Sequence, residues 1–260
     1  MKDLEIQELR SFWEANPLSA GRIPYRLGTP EYFSFYDRLR EKNETPEFSA
    51  LLHEYHHYSH KKVLDVGSGN GYVLGKYAQF GAEVYGVDLT LTGVELCQRR
   101  FEYQGLRGHF CMGNAEELPF PGSVFDCVCS MGVLHHTPNI ERAMGEVFRV
   151  LKPGGRLILM VYHRNSALYQ FKFRWMNRVT GKSRRQLVNE IDGLGNPKGE
   201  VFSKSEIKNL LRSFTDIETS VGLLQSWMIL PRGARFVPDQ ILKRFERCFG
   251  WFLYAKAIKP

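Results

Sequence analysis

The amino-acid sequence predicts an α/β fold with an open, doubly wound parallel sheet. From residue 61 onward, short apolar segments alternate with helical patterns, and the central segments are apolar throughout. A strand that is covered by helices on both sides must be apolar on both faces, so this pattern indicates a sheet buried between two helical layers. Alternation of strand and helix along the chain is typical of parallel α/β sheets.

The individual elements follow from the same patterns. We expect seven strands, at Lys62–Val66, Glu83–Val87, His109–Met112, Phe125–Ser130, Arg156–Val161, Asp216–Val221 and Trp251–Ile258. Between them we expect helices at Tyr72–Phe80, Thr92–Gln104, Pro138–Leu151 and Lys204–Phe214. Residue pairs typical of helix starts support three of these helices: Thr92 with Glu95, Ser203 with Glu206, and Thr137 with Pro138.

Two segments lie outside this alternation. Residues 1–60 are predicted to be an aromatic-rich helical lid segment, and residues 61–260 the main domain. Within that domain, residues 163–200 form an insertion too long for an ordinary connection, which suggests that it covers a site. Ligands of such sheets bind at the carboxyl ends of the strands, so both segments could contribute to an acceptor pocket. The candidate acceptor-binding residues are Tyr25, Tyr32, Tyr36, Arg38, Tyr162 and Arg164.

Composition limits the class of protein. The 260 residues are 43% hydrophobic and 13% aromatic, which excludes a disordered chain. No signal sequence and no apolar run long enough to span a membrane are visible, and five cysteines without a CxxC pair fit a reduced compartment. We therefore expect a soluble cytoplasmic protein without a metal site. The net charge of +7 is concentrated between Arg164 and Arg185, which is either a solvated helix face or a surface for an anionic substrate, nucleic acid or membrane.

The strongest motif is VLDVGSGNGY at residues 63–72, where three glycines follow a buried strand and open a helix. Such glycines let the backbone approach a nucleotide closely. Asp88 ends the next strand about twenty residues later, where a carboxylate can accept both ribose hydroxyls. A dinucleotide fingerprint would have glycine in place of Tyr72, and Asp65 would repel a pyrophosphate. The same carboxylate favours the ammonium and sulfonium charges of S-adenosylmethionine.

Four blocks in order, VLDVGSGNG, YGVDLT, GNAEELPFPGSVFDCVCSMGVLHHTP and RVLKPGGRLIL, resemble the class I S-adenosylmethionine-dependent methyltransferases. The resemblance covers residues 61–161 and is strongest to the small-molecule branch related to the ubiquinone and menaquinone methyltransferases. It implies a Rossmann-like sheet of seven strands with the last strand antiparallel, and S-adenosyl-L-methionine as the cofactor. It also implies a cofactor site made of Asp65, Gly67, Ser68, Gly69, Asp88, Leu89, Asn114, Ala115, Glu116, Ser130 and Met131.

Histidines are the candidate catalytic groups. His135 and His136 follow the fourth strand and are expected beside the methyl group, where an imidazole can act as a general base near neutral pH. Alternatively, one of them caps backbone groups or packs under the next helix. A second set, His53, His56, His57 and His60, has the spacing of one helix face, but a metal site there is the less favoured interpretation.

The acceptor is the least determined part of the function. The D/N/S-P-P-aromatic motif for methylating bases is replaced by SMGV, and no RNA-binding module is visible, so we expect a small molecule rather than nucleic acid. The leading hypothesis is methyl transfer to an oxygen or nitrogen of a small, anionic or uncharged, metabolite or natural-product intermediate. The alternatives are a quinone or lipid methyltransferase in peripheral contact with a membrane, and an inactive cofactor-binding partner protein. A less favoured one is an RNA methyltransferase recruited by the basic insertion, which would bind nucleic acid in a salt-sensitive way. The oligomeric state is not predicted.

Overall fold

A single eight-stranded sheet forms the centre of the molecule. The computed structural model describes residues 2–17, 21, 23–229 and 237–260. The strand order is β3-β2-β1-β4-β5-β8-β7, and the short β6 pairs with β5 off this path. The strands are β1 (Lys62–Val66), β2 (Glu83–Asp88), β3 (His109–Met112), β4 (Phe125–Met131), β5 (Leu151–His163), β6 (Val201–Phe202), β7 (Thr215–Gly222) and β8 (Phe252–Ile258).

Strand direction matches the predicted doubly wound arrangement. The strands β1 to β5 pair in parallel, and β8 runs antiparallel to both β5 and β7. The Rossmann-like α/β prediction with an antiparallel last strand is therefore confirmed. All seven predicted strands are present, and the residues just after the insertion add the two-residue β6 beside Tyr162 and His163. A segment of two residues carries no periodicity by which sequence could have identified it.

Helices account for most of the rest of the chain. They are α1 (Lys2–Ala15), α2 (Pro30–Asn43), α3 (Pro46–His53), α4 (Tyr72–Gln79), α5 (Leu91–Gln104), α6 (Ile140–Val150), α7 (Phe173–Thr180), α8 (Arg184–Asn189), α9 (Lys204–Leu210) and α10 (Asp239–Phe249). Five residues, Leu168–Lys172, form a π-helical turn that leads directly into α7. Within the described part of the chain, no helix has the length and apolar character needed to cross a membrane.

The predicted helix starts are correct in one case of three. Ser203 and Glu206 form the expected capping box at α9. At α5 the capping residue is Thr90, whose hydroxyl accepts from the Gly93 amide, while Thr92 instead contacts the carboxylate of Glu14. At α6 the N-cap is Asn139. The hydroxyl of Thr137 donates to the Leu134 carbonyl at 2.7 Å, so it is occupied by the preceding turn.

Alternate residues of each central strand enter two separate cores. Leu64, Val128 and Leu157 pack on the face covered by α6 and α9. Their neighbours, such as Val63 and Ile158, pack on the opposite face with α2, α4 and α5. Because both faces of the sheet are covered, a ligand is expected at the carboxyl ends of the parallel strands.

The predicted one-helix face of histidines does not form. The helix α3 ends at His53, and the next residue, Glu54, has a left-handed backbone with φ of 50°. His53 is buried against Tyr77, while His56 and His57 lie in a separate short 3₁₀ turn. In the part of the chain that the structure describes, no group of His, Cys, Asp or Glu has the arrangement of a metal site.

A buried arginine joins the N-terminal helices to the sheet. Arg100 of α5 is 1% exposed, and its guanidinium donates to both carboxylate oxygens of Asp37 on α2, at 2.8 and 3.0 Å. Its Nε donates to the carbonyl of Asn70 in the glycine-rich turn at 2.7 Å. One side chain therefore fixes α2, α5 and the turn that follows β1.

We expect Asp37→Ala to lower the free energy of unfolding by about 3–5 kcal/mol, because it leaves a buried guanidinium without its counter-charge. Urea unfolding followed by circular dichroism measures the change. Glu95→Ala, which removes an exposed carboxylate from α5, is the matched control and should change stability by less than about 0.5 kcal/mol. Equal stabilities of the two variants would contradict this role for the ion pair.

Candidate active site

A cavity of about 200 Å³ opens at the carboxyl ends of β1, β2, β3 and β4. Each of these strands contributes a loop to its wall. The loops supply Gly67, Gly69 and Asn70 after β1, Asp88, Leu89 and Thr90 at the end of β2, Gly113, Asn114 and Ala115 after β3, and Met131, Gly132 and Val133 at the end of β4. The fold thus brings the two strongest sequence motifs, one on β1 and one on β2, to the same cavity.

The turn after β1 requires glycine for both conformation and space. Gly67, Gly69 and Gly71 have φ values of 82°, 51° and 75°, which only glycine adopts without strain. A Cβ atom at residue 67 would lie 2.3 Å from a methyl carbon of Val133. The amides of Gly67 and Ser68 both donate to the carbonyl of Val87, which holds the turn against β2.

Asp88 has the geometry of a hydroxyl-binding carboxylate. One oxygen accepts from the Gly69 amide at 2.9 Å, and the other accepts from the amide and the hydroxyl of Thr90 at 2.9 and 2.7 Å. These bonds fix the orientation of the carboxylate at the cavity wall. A carboxylate has about four lone-pair sites, so acceptor capacity remains for a ligand hydroxyl.

Asp65 lies beneath the glycine turn and does not line the cavity. Its side chain is 3% exposed, and its Oδ1 atom has no hydrogen-bond partner. Burial raises the pKa of this carboxyl from 3.8 to about 7. Burial outweighs the positive charge of Arg40 and leaves Oδ1 without a hydrogen bond, so a cationic ligand above the turn would stabilise the ionised carboxylate. This electrostatic deficit fits the ammonium and sulfonium groups of S-adenosylmethionine.

The predicted cofactor residues divide into two groups. Gly67, Gly69, Asp88, Leu89, Asn114, Ala115 and Met131 line the cavity, whereas Asp65, Ser68, Glu116 and Ser130 are buried behind its wall. Glu116 accepts from the Asn139 amide at 2.7 Å, and the Ser130 hydroxyl donates to the Val66 carbonyl at 2.8 Å. These last two side chains hold neighbouring backbone segments in place and are not on the cavity surface.

His135 and His136 follow β4 in a short 3₁₀ turn but occupy different environments. His135 has no exposed surface and does not line the cavity. Neither of its ring nitrogens has a hydrogen-bond partner, and burial lowers its pKa well below the ordinary value. Its ring packs on Tyr162, with centroids 4.1 Å apart. His135 therefore occupies a packing position, as in the alternative interpretation of the sequence.

His136 faces the cavity with a defined tautomer. Its Nδ1 lies 2.7 Å from the carbonyl oxygen of Lys198, which can only accept, so Nδ1 carries a proton. Its Nε2 is 3.6 Å from a carboxylate oxygen of Asp192. Nε2 is therefore the nitrogen of the neutral ring that can accept a proton, and it lies on the side of Asp192.

Asp192 is one of the site residues that sequence analysis missed. It lies near the end of the insertion, and its other carboxylate oxygen accepts from the hydroxyl of Tyr162 at 2.6 Å. The only sequence signal was a carboxylate in the turn-rich stretch IDGLGNPKG. On the opposite side, the indole of Trp13 from α1 packs edge-on against His136, with centroids 5.1 Å apart. The N-terminal segment, residues 1–60, and the insertion, residues 163–200, therefore both contact His136.

The predicted acceptor residues are only partly assembled at the cavity. Tyr32 and Tyr162 line it, and α1 adds Ile6, Leu9 and Trp13, which sequence analysis did not single out. The other four do not line this cavity, and their acceptor role stays a prediction. Tyr36 is buried in the core beside Tyr72, Tyr25 and Arg38 line a separate surface depression, and Arg164 is exposed and paired with Glu206. Tyr36 is away from the cavity because it belongs to the aromatic side of α2 that packs in the core.

Comparison with known proteins agrees with the motifs. Residues 64–159 match the family described as a methyltransferase domain. The phthiotriol/phenolphthiotriol dimycocerosates methyltransferase of Mycobacterium leprae is 34% identical over 136 residues, 51% of this chain and 50% of that protein. The ubiquinone/menaquinone biosynthesis C-methyltransferase UbiE of Proteus mirabilis is 31% identical over 176 residues, 64% of each chain. The chain spans about half the length of the curated relatives it matches.

A solved structure shares the fold over the whole chain. The Burkholderia thailandensis 1,6-didemethyltoxoflavin-N1-methyltransferase, solved with 1,6-didemethyltoxoflavin and S-adenosylhomocysteine, superposes with a TM-score of 0.62. It is 18% identical and covers 100% of this chain and 90% of its own. Together with the family match, these findings confirm the predicted resemblance to class I S-adenosylmethionine-dependent methyltransferases related to the ubiquinone and menaquinone enzymes.

We expect Asp65→Asn to remove a pH dependence of stability. Between about pH 4 and about pH 7 the folded protein keeps the proton on this carboxyl and the unfolded chain releases it, so stability falls as pH rises. In this pH range the Asp65 carboxyl lowers the free energy of unfolding by about 1.4 kcal/mol for each pH unit of increase. Above about pH 7 the variant should therefore be more stable than the wild type without ligand, as measured by urea unfolding.

The same variant should bind S-adenosylmethionine at least about tenfold more weakly near pH 8, because the counter-charge of the cofactor is lost. Isothermal titration calorimetry measures this affinity. Parallel pH–stability curves for variant and wild type would contradict the assignment of the raised pKa to Asp65.

Proposed function

We propose that the protein transfers a methyl group from S-adenosylmethionine to an oxygen or nitrogen of an uncharged, largely apolar small molecule. The observation that carries the proposal is the position of His136. His136 lines the same cavity as the glycine turn and Asp88, and the bond from its Nδ1 to the Lys198 carbonyl leaves Nε2 as the ring nitrogen that can accept a proton. Most of the remaining wall is apolar or aromatic.

The residues at the carboxyl ends of β1 to β3 would hold the cofactor. Asp88 would accept the ribose hydroxyls, Leu89 and Ala115 would pack against the adenine, and Asn114 would meet its edge. The charge of Asp65 would favour the cationic methionine end above the glycine turn. When bound, S-adenosylmethionine supplies a methyl group activated by the positive sulfonium.

The acceptor would lie between α1 and the end of β5. The wall there consists of Ile6, Leu9, Trp13, Met131 and Tyr162. No lysine or arginine occurs among the described residues that line the cavity. Because an anionic acceptor would lack a counter-charge, the geometry favours the uncharged alternative of the sequence hypotheses.

His136 would remove the proton from the acceptor. The Lys198 carbonyl keeps the proton of the neutral ring on Nδ1 and so leaves Nε2 as the base. Once Nε2 is protonated, Asp192 at 3.6 Å provides a negative charge that stabilises the imidazolium. Tyr162 in turn holds the Asp192 carboxylate. The alignment of acceptor and methyl group would come from the aromatic walls of Trp13 and Tyr162.

A second candidate is methylation of a quinone or lipid at a membrane surface. The names of two relatives support it. One is named for ubiquinone and menaquinone biosynthesis, and the other is named a methyltransferase of phthiotriol and phenolphthiotriol dimycocerosates. It is also supported by an exposed apolar surface on the insertion, beside Arg174 and Arg178. This candidate uses the same cavity and the same base, and differs in where the acceptor resides and in allowing a carbon acceptor, as the name of the UbiE relative indicates.

The acceptor class is tested with methyl-labelled S-adenosylmethionine, the purified protein and a cell extract. After incubation, the extract is separated into organic-soluble molecules, polar solutes and macromolecules. We expect protein-dependent label in the organic-soluble fraction, because the acceptor wall is apolar. Label confined to nucleic acid or protein would contradict the proposal, as would the absence of transfer by a protein that binds the cofactor.

His136→Gln should lower kcat by about a hundredfold or more and leave the affinity for S-adenosylhomocysteine within about threefold, since a general base contributes to proton removal and not to cofactor binding. Product formation and calorimetric titration measure the two effects. His109→Gln, at an exposed position on β3, is the matched control and should retain full activity. Full activity of the His136 variant would remove the general-base assignment.

A further inference from the structure

An apolar stripe lies on the outer side of α7 and the turn that precedes it. Phe171, Trp175 and Val179 are 51%, 50% and 63% exposed. Their spacing of four residues puts them on one side of the helix, opposite the buried Phe173. Soluble surfaces rarely expose large apolar side chains in a continuous row, so the stripe indicates an interaction surface.

A second exposed apolar row lies nearby on α10. Ile241 and Phe245 are one helical turn apart, and each is 48% exposed. The two elements are neighbours, because the rings of Phe171 and Phe249 have centroids 6.1 Å apart. We call the exposed rows of α7 and α10 together the α7–α10 surface.

Cationic side chains are frequent in the two segments that carry this surface. Residues 164–185 contain Arg164, Lys172, Arg174, Arg178, Lys182, Arg184 and Arg185 and no Asp or Glu. On α10, the exposed cations are Lys243, Arg244 and Arg247. An apolar row bordered by long cationic side chains is the pattern of helices that lie in the interface of an anionic bilayer.

Arg184 lies within the range of the positive charges of Arg164 and Arg174. The pKa of Arg184 is lowered, first by burial and then by the positive charges of Arg164 and Arg174. Of these three, Arg164 has an acidic partner, Glu206 at 2.8 Å. Crowded cations are relieved by binding anionic groups, so the charge arrangement favours a partner that carries phosphates.

We propose that the α7–α10 surface docks on a bilayer that contains anionic phospholipids. Phe171, Trp175, Val179, Ile241 and Phe245 enter the boundary between headgroups and acyl chains, and the arginines of the same segments contact lipid phosphates. A second copy of the chain fits less well, because two such basic surfaces would repel each other.

Docking would bring the acceptor cavity close to the bilayer. Tyr162 lines the cavity. It also shares a hydrophobic cluster with Leu168 and Phe173, two buried residues of the insertion. A membrane-dissolved acceptor could then reach Tyr162 without crossing bulk water. This last step rests on the proposed function, whereas docking itself does not require catalysis.

The test is sedimentation of the full chain with vesicles of phosphatidylcholine alone and of phosphatidylcholine with about 30% phosphatidylglycerol. We expect binding to the anionic vesicles that is at least about tenfold stronger than to the neutral ones and that weakens with salt. The double variant Trp175→Gln/Val179→Gln should reduce binding to anionic vesicles at least about tenfold. Brominated lipids should quench tryptophan fluorescence of the wild type and markedly less that of this variant.

Leu51→Gln/Tyr103→Gln, which removes two exposed apolar side chains from α3 and α5, is the matched control and should bind vesicles as the wild type does. Calorimetry with S-adenosylhomocysteine in the absence of lipid reports cofactor binding separately, so failure of docking and failure of the proposed function are distinguishable. Three results would overturn the docking proposal. The first is vesicle binding by the Trp175→Gln/Val179→Gln variant that equals that of the wild type, and the second is absence of wild-type binding to anionic vesicles. The third is a dimer or an RNA complex of the wild type that is lost in this variant.

Discussion

The site depends on the position of β1 between β2 and β4. Because β1 pairs with both, the order of strands reverses there, and the loops that follow β1 and β4 turn to opposite faces of the sheet. The gap between these loops is the cavity. The close approach of Val133 to Gly67 closes the bottom of this gap, and Arg100 fixes the turn from behind through the carbonyl of Asn70. The strand order therefore determines where a nucleotide can bind before any side chain specifies which nucleotide.

The two segments outside the α/β alternation convert this open crevice into a partly enclosed site. The carboxylate of Glu14 on α1 accepts from the amides of Leu91 and Thr92, each at 3.0 Å, which anchors α1 at the start of α5. From the other side, the insertion contributes Asp192 and the carbonyl of Lys198. His136 is held between the two segments. Enclosure from both sides is consistent with a reaction that requires a water-poor, aromatic environment around a positively charged methyl donor.

Sequence reasoning was most successful where periodicity and local motifs determine structure. The bounds of β1 and β3 agree with the structure, and the glycine turn and Asp88 lie together as expected. These features depend on residues close in the chain. What sequence could not give beyond two helix N-caps depends on tertiary packing. The positions of Tyr36 and Arg38 depend on which side of α2 faces the sheet. The environments of His135 and His136 differ because the ring of His135 lies in the core. Asp192 reaches the site through a long insertion whose path no local pattern specifies.

The most direct measurement of the central claim is a crystal structure with S-adenosylhomocysteine bound. The account predicts the ribose at Asp88, the adenine beside Leu89 and Asn114, and the sulfur atom on the side of the cavity formed by Met131 and His136. It also predicts that Nε2 of His136 borders the space next to that sulfur. A ligand bound elsewhere, or a sulfur atom separated from His136 by the α1 helix or the insertion, would contradict the proposed methyl transfer at this site.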